Sequence, residues 1–192
     1  MGEQDVQSTT GGEAQRAFTR ALLEDVEALD RMLTSGVIEA GVRRIGAEQE
    51  FFLVDKAGQP SRVALELLER LGDPFTTELG LFNLEANLPP LVLGGDCLSE
   101  MERTLNAYLD RARAEAAELD ARIALCGILP TIDRAHLGLD WMTPIPRYRA
   151  LNAVMSELRG GEFRTLIKGL DELQTSHDNV MFEACNTSFQ IH

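Results

Sequence analysis

Two glutamates sit inside an otherwise apolar run, and that pair constrains this chain more than any other feature. Residues 43–55 read RRIGAEQEFFLVD and lead into Lys-Ala-Gly, which is the pattern of a strand entering a turn. Glutamate is depleted in strands, so Glu48 and Glu50 call for a physical reason. Their spacing of two puts both carboxylates on one face of a sheet, roughly 7 Å apart along the strand. Two carboxylates so placed repel and raise one another's pKa unless cations lie between them. Magnesium takes oxygen ligands, uses one or two carboxylates per ion and keeps positions for water and phosphate oxygens, so the pair suits a place where metal meets nucleotide. The same spacing also arises on a solvated antiparallel sheet face, where Glu-x-Glu simply points at water.

A second acidic segment shifts that balance. Residues 75–88, FTTELGLFNLEANL, read as extended, and Pro89-Pro90 ends them because proline cannot donate to a sheet ladder. Glu85 shares its parity with Asn83 and Asn87, making a polar stripe flanked by Phe82, Leu84 and Leu88. Glu78 lies seven residues earlier, on the opposite parity if the strand is regular, and joins the same site only from the strand's start or across a bulge.

Around these strands the pattern is mixed. Phe18, Leu22, Val26, Leu29 and Leu33 recur at helical steps over residues 13–35, a helix ending near Gly36. A short helix is expected over 61–71 and a longer one over 99–120, with Ser99 as N-cap and Glu102 three residues on. An apolar strand over 121–129 precedes a proline- and glycine-rich loop through 133–146, followed by helices over 147–158 and 162–168. Residues 179–192 alternate again, with Asn186, Ser188, Gln190 and His192 on one parity and Thr187, Phe189 and Ile191 on the other. Residues 1–12 are expected to be a polar, flexible start, and 13–192 a single α+β domain with a largely antiparallel sheet packed with helices. The run stops within its last strand, which reads as the N-terminal portion of a longer catalytic domain.

Charge and cysteine usage exclude several function classes. With 31 acidic against 18 basic residues the net charge is -13, which argues against an extended nucleic-acid partner, since phosphate binding needs concentrated basic surface. No apolar run approaches the roughly 20 residues that span a bilayer, and the first residues lack the pattern of a signal peptide, so a cytoplasmic protein without membrane partners is expected. Cys97, Cys126 and Cys185 are odd in number and far apart, suggesting neither a disulfide framework nor a CxxC metal site.

The residues also carry a family resemblance. IGAEQEFFLVD resembles the Gly-x-Glu-x-Glu strand of glutamate-cysteine ligases and related bacterial carboxylate-amine ligases, and TTELGLFNLEANLPP resembles that family's Thr-Thr-acid followed seven residues later by Glu. CGILPTIDRAHLGLDWMTPIPRYRALN is similar to its Gly-x-x-Pro loop and Arg-Tyr pair, here Arg147 and Tyr148, and NTSFQIH to a strand ending in polar Gln or His. The four matches keep the family's order. The sequence departs from the pattern at Phe82, three before Glu85, where some members have a further carboxylate, with Leu79 three residues before that, and at Pro89-Pro90, where Thr-Pro is usual.

The resemblance implies a glutamine synthetase-like catalytic fold, with Mg2+ and ATP as cofactors. It implies Glu48, Glu50, Glu85 and Glu78 as metal ligands, Gln190 and His192 as nucleotide or metal contacts, and Arg147 at the substrate. The implied reaction joins an amino-acid carboxylate to an amine through an acyl phosphate, with small-molecule substrates and a possible homo-oligomer. Two alternatives stand beside it: a non-catalytic metal- or nucleotide-binding module derived from that fold, and a structural domain whose acidic strands face water.

Overall fold

The computed structural model describes Val6 and residues 11–192 of the chain. The polar start expected over residues 1–12 therefore lies largely outside the described residues, although Gly12 already belongs to the first helix, α1 (Gly12–Ser35). That helix ends as its sequence predicts, at Gly36, whose φ of 72° is open to glycine at little cost. Its apolar stripe buries nothing within the chain: Phe18, Leu22, Val26, Leu29 and Leu33 are all exposed.

The architecture is mixed, with four α-helices and antiparallel sheets among the described residues. Strand β1 (Arg44–Val54) is the central strand of the main sheet. On one side it pairs with β3 (Asn83–Val92), which in turn pairs with the short β2 (Phe75–Thr77). On its other side it pairs with β4 (Arg122–Ala124) near one end and with β7 (Phe189–Ile191) near the other. The odd positions of β1 and the even positions of β3 face α2 (Ala64–Leu71) and α3 (Cys97–Ala117). Phe51, Leu53, Leu67, Leu71, Leu84, Leu109, Ala112 and Ala116 make one core there, with Phe51 meeting Phe75 edge-on at 6.3 Å. Each large apolar side chain removed from water in this layer contributes about 1.5–3 kcal/mol.

The opposite sheet face is divided. At one end Phe52, Val54 and Phe82 pack under Leu129, Met142, Tyr148 and Met181, supplied by the 129–145 connection, by α4 (Pro146–Arg159) and by a 3-10 turn at Met181–Cys185. At the other end the same face carries the acidic side chains. The proline-rich connection itself contains 3-10 turns at Arg134–Leu137 and Leu139–Trp141.

Four expectations are corrected. Pro89-Pro90 do not end the strand. Pro89 and Pro90 together face Gly46 in a bulge, and Gly46 exchanges both backbone hydrogen bonds with His192 on the other side, so neither proline is asked for a donor. Residues 75–88 are two strands, broken between Thr77 and Asn83. Ser99 is not the N-cap: α3 starts at Cys97 behind Asp96, because Gly94 and Gly95, both at positive φ, turn the chain two residues earlier. Residues 162–168, read as a helix, form β5 (Phe163–Lys168), hairpin partner of β6 (Glu172–His177). Their Phe, Thr and Ile favour a strand once a partner is in register.

The expected strands at 121–129 and 179–192 are shorter than their apolar patterns suggest. Arg122–Ala124 and Phe189–Ile191 form the strands in them, and Ile128 and Asn186 add an isolated antiparallel bridge between the two segments.

Candidate metal centre

The acidic end of the sheet is built by register. Glu50 lies directly opposite Glu85, Glu48 opposite Asn87, and on the other side of β1 Glu48 lies opposite Gln190. Period-two alternation then puts Glu48, Glu50, Glu85, Asn83, Asn87 and Gln190 on one face, as the sequence predicts. Thr76 of β2 lies opposite Glu85 on the outer side.

Glu78 reaches this face from the break between β2 and β3. The chain leaves the ladder after Thr77 and re-enters it at Asn83, which cancels the parity that would have turned Glu78 away. Thr143 clamps the break from behind, its backbone N–H donating to Leu79 O at 2.9 Å and its hydroxyl donating to Glu78 O at 2.6 Å. Tyr148, buried at the start of α4, adds a hydroxyl donation to Thr77 O at 3.0 Å. One carboxylate oxygen from each of Glu50, Glu78 and Glu85 thereby comes within 4.8 Å of the other two.

Hydrogen bonds hold all three, Glu78 through Leu79 N, which donates to its Oε2 at 3.2 Å. Glu50 accepts from Ser188 N (2.8 Å), Ser188 Oγ (3.2 Å) and Gln190 Nε2 (2.9 Å), so β7 orients it. Asn87 Nδ2 donates to Glu85 at 2.7 Å. Glu48 stands beside the cluster, its Oε2 3.4 Å from His192 Nε2. Among the described residues no lysine or arginine forms an ion pair with any of the four glutamates.

The electrostatic result is a large perturbation. Burial, reinforced by the charges of Glu50 and Glu85, pushes the Glu78 carboxyl up to about 8. Burial also raises Glu85, with a contribution from Glu48 and against the pull of Asn87. A protonated Glu78 can donate to Glu85, which relieves the crowding in the absence of a cation.

The donor set fits a hard divalent cation. All the convergent atoms are oxygens, no lysine or arginine among the described residues is ion-paired to them, and a pocket of about 30 Å³, room for one water-sized particle, opens beside Glu50 and Glu78. Asn83 Oδ1, on a residue only 2% exposed in the same pocket, is a buried acceptor with no hydrogen-bond partner among the described residues. Glu183 and Asn186 complete the lining. Sequence reading missed Glu183, because the 3-10 turn that carries it gives no periodic signal. It placed Asn83 in the polar stripe without a role, and Ser188 was legible only as the parity mate of Gln190.

The residues expected at the substrate and nucleotide divide between two places. Gln190 and His192 are brought to Glu50 and Glu48. Arg147 begins α4, where its charge acts on Tyr148, whose hydroxyl is pushed up to about 12 by burial and by Glu78. The neighbouring cavity is lined by Arg149 rather than Arg147.

Comparison with known proteins gives one family. The model described as glutamate-cysteine ligase family 2 matches residues 44–192, which includes every residue of this centre. The glutamate-cysteine ligase of Haloquadratum walsbyi is 31% identical over 135 residues, covering 65% of this chain and 32% of that protein. The chain thus spans about a third of the length of that relative. No solved structure matches.

Proposed function

The chain belongs to glutamate-cysteine ligase family 2, and from that premise we propose that it is part of a magnesium- and ATP-dependent carboxylate-amine ligase with a glutamine synthetase-like catalytic fold. The observation that carries the reading is the meeting of Glu50, Glu78 and Glu85 within 4.8 Å on one sheet face, with no lysine or arginine ion-paired to them among the described residues. Similarity to a relative named glutamate-cysteine ligase supports the same class.

In this reading Glu50, Glu78 and Glu85 hold Mg2+, and Glu48 with His192 flanks it. Bound magnesium would neutralise phosphoryl oxygens of ATP while a substrate carboxylate becomes an acyl phosphate and an amine then displaces phosphate. The chain's own part is to position. Gln190 and Ser188 hold the Glu50 carboxylate against rotation, Asn87 holds Glu85, and the Thr143 clamp fixes the Glu78 segment. Such fixing matters because in-line transfer depends on the alignment of two reactants. Arg147 is the substrate contact we assign from the Arg-Tyr motif. No nucleophilic side chain is required, which agrees with a site made of carboxylates and amides. Among the described residues no helix is long and apolar enough to cross a membrane.

Calorimetric titration tests the centre without turnover. Saturable magnesium-dependent ATP binding is expected in the unaltered chain and should disappear in Glu50→Ala and Glu85→Ala; binding that survives both removes the metal assignment. ATP hydrolysis dependent on both a carboxylate and an amine separates the ligase from the second reading, a non-catalytic metal- and nucleotide-binding module, which the chain's 32% coverage of its relative keeps in view.

A further inference from the structure

Helix α1 is amphipathic, and nothing in its own chain covers its apolar side. Phe18, Leu22, Val26, Leu29 and Leu33 are 51–61% exposed and follow one another at steps of four, four, three and four, the spacing that lines one side of a helix. A continuous apolar stripe on a helix about 36 Å long marks a surface that another molecule covers. The helix precedes residues 44–192, so the stripe lies outside the segment that builds the metal centre.

The charges beside the stripe say which molecule. Arg16 and Arg20 against Glu13 give the first half of α1 a net charge of +1, whereas Glu24, Asp25, Glu27 and Asp30 against Arg31 give the second half -3. Arg31 is spent on Glu27 at 3.9 Å, and among the described residues Arg16, Arg20, Glu24, Asp25 and Asp30 form no ion pair. The acidic half also sits toward the negative end of the helix dipole, with no basic residue in the last turn, so positive charge from outside relieves it. An anionic membrane surface cannot supply that charge, and α1 has no lysine to bind one. The first half of a second α1 can supply it.

Two copies laid antiparallel with full overlap set Phe18 of each against Leu29 of the other, and Leu22 against Val26. Arg16 and Asp30 are two heptads apart, hence on the same flank of the stripe, and the two-fold brings Arg16 of each copy beside Asp30 of the other. A parallel pair would instead align the two acidic halves and face Asp25 and Asp30 with their own copies. Screening confines charge effects to about 10 Å at ordinary salt, so this local match outweighs the repulsion of the two whole chains.

We propose that α1 is the contact of an antiparallel, two-fold symmetric dimer of this chain, with the stripe as its core and two Arg16–Asp30 pairs on its flanks. The proposal does not rest on the ligase reading. One helix from each copy makes a small interface, so the dimer is reversible.

Sedimentation equilibrium of the 192-residue chain tests this from about 5 to about 200 μM, where a monomer–dimer equilibrium is expected. Leu29→Asn should remove it by placing an amide in the stripe. Arg16→Glu and Asp30→Arg should each weaken it about tenfold, because each turns two attractions into repulsions, and the double variant Arg16→Glu/Asp30→Arg should return close to the parent's affinity. All three positions are exposed on a helix that buries nothing within the chain, so the melting of the sheet and its core should not change. Association through Leu158 or Leu170, exposed elsewhere on the chain, would survive Leu29→Asn. A chain that stays monomeric overturns the inference and assigns the stripe to a different protein. A dimer that survives Leu29→Asn, or a double variant as weak as the single ones, overturns it too.

Discussion

Replacing Glu78 by glutamine should stabilise the metal-free protein at alkaline pH and do little at acidic pH. An unfolded glutamate gives up its proton near 4.5, whereas in the fold Glu78 keeps it to about 8, because burial and the charges of Glu50 and Glu85 disfavour the anion. Between those values the folded state binds the extra proton. Stability is therefore fully present below 4.5, falls as pH rises through the window, and is reduced by the whole amount above about 8. From 4.5 to about 8, at about 1.4 kcal/mol per pH unit, the loss approaches 5 kcal/mol as an upper bound. That is comparable with the total stability of many domains, about 5–15 kcal/mol. Glutamine mimics the protonated form: its amide can donate to Glu85 and accept from Leu79 N, which now donates to Glu78 Oε2 at 3.2 Å. Urea denaturation in EDTA at pH 5 and pH 9 should show near-equal stabilities at the lower pH and a variant more stable by several kcal/mol at the higher. Magnesium should reverse the order at pH 9, since the metal then stabilises only the protein with the full carboxylate set. A variant no more stable than the parent at pH 9 without metal would show that Glu78 is not crowded by Glu50 and Glu85, and the argument for a cation there would lose its electrostatic basis.

Other substitutions probe the frame of the centre. Gly80→Ala places a Cβ 2.6 Å from Asn83 Oδ1 and 3.2 Å from both Ala184 Cβ and Phe82 Cε1, and should cost about 1–3 kcal/mol in urea melts, with weaker magnesium binding as the Glu78 break is pushed open. Phe51→Ala, at a fully buried ring packed edge-on to Phe75, should cost about 3–5 kcal/mol in the same assay. Gln190→Ala removes one of the bonds that orient Glu50 and should weaken magnesium binding several-fold in calorimetry without a comparable loss of stability. Leu22→Asn, on a helix that buries nothing within the chain, should shift the melt by less than about 0.5 kcal/mol.

Much of the centre was written into local sequence. Alternation alone placed Glu48 with Glu50, Glu85 with Asn83 and Asn87, and Ser188 with Gln190, because side-chain direction in a strand depends only on the residue count along it. The same rule failed at Glu78, where the count is interrupted: a break held by Thr143 and Tyr148 from distant segments turns the carboxylate onto the face that parity denies it. It failed again at Pro89-Pro90, whose place in a bulge depends on Gly46 bonding to His192 rather than to β3, and at residues 163–168, where pairing with β6 overrode a helical reading. Which strands lie side by side, in what register, and which loop seals the gap between them are settled by contacts among residues far apart in the chain. The identity of the acidic residues is thus a property of the sequence, while their convergence within 4.8 Å, and the crowding that calls for a cation, come from the packing of β1, β3 and the Glu78 turn against one another.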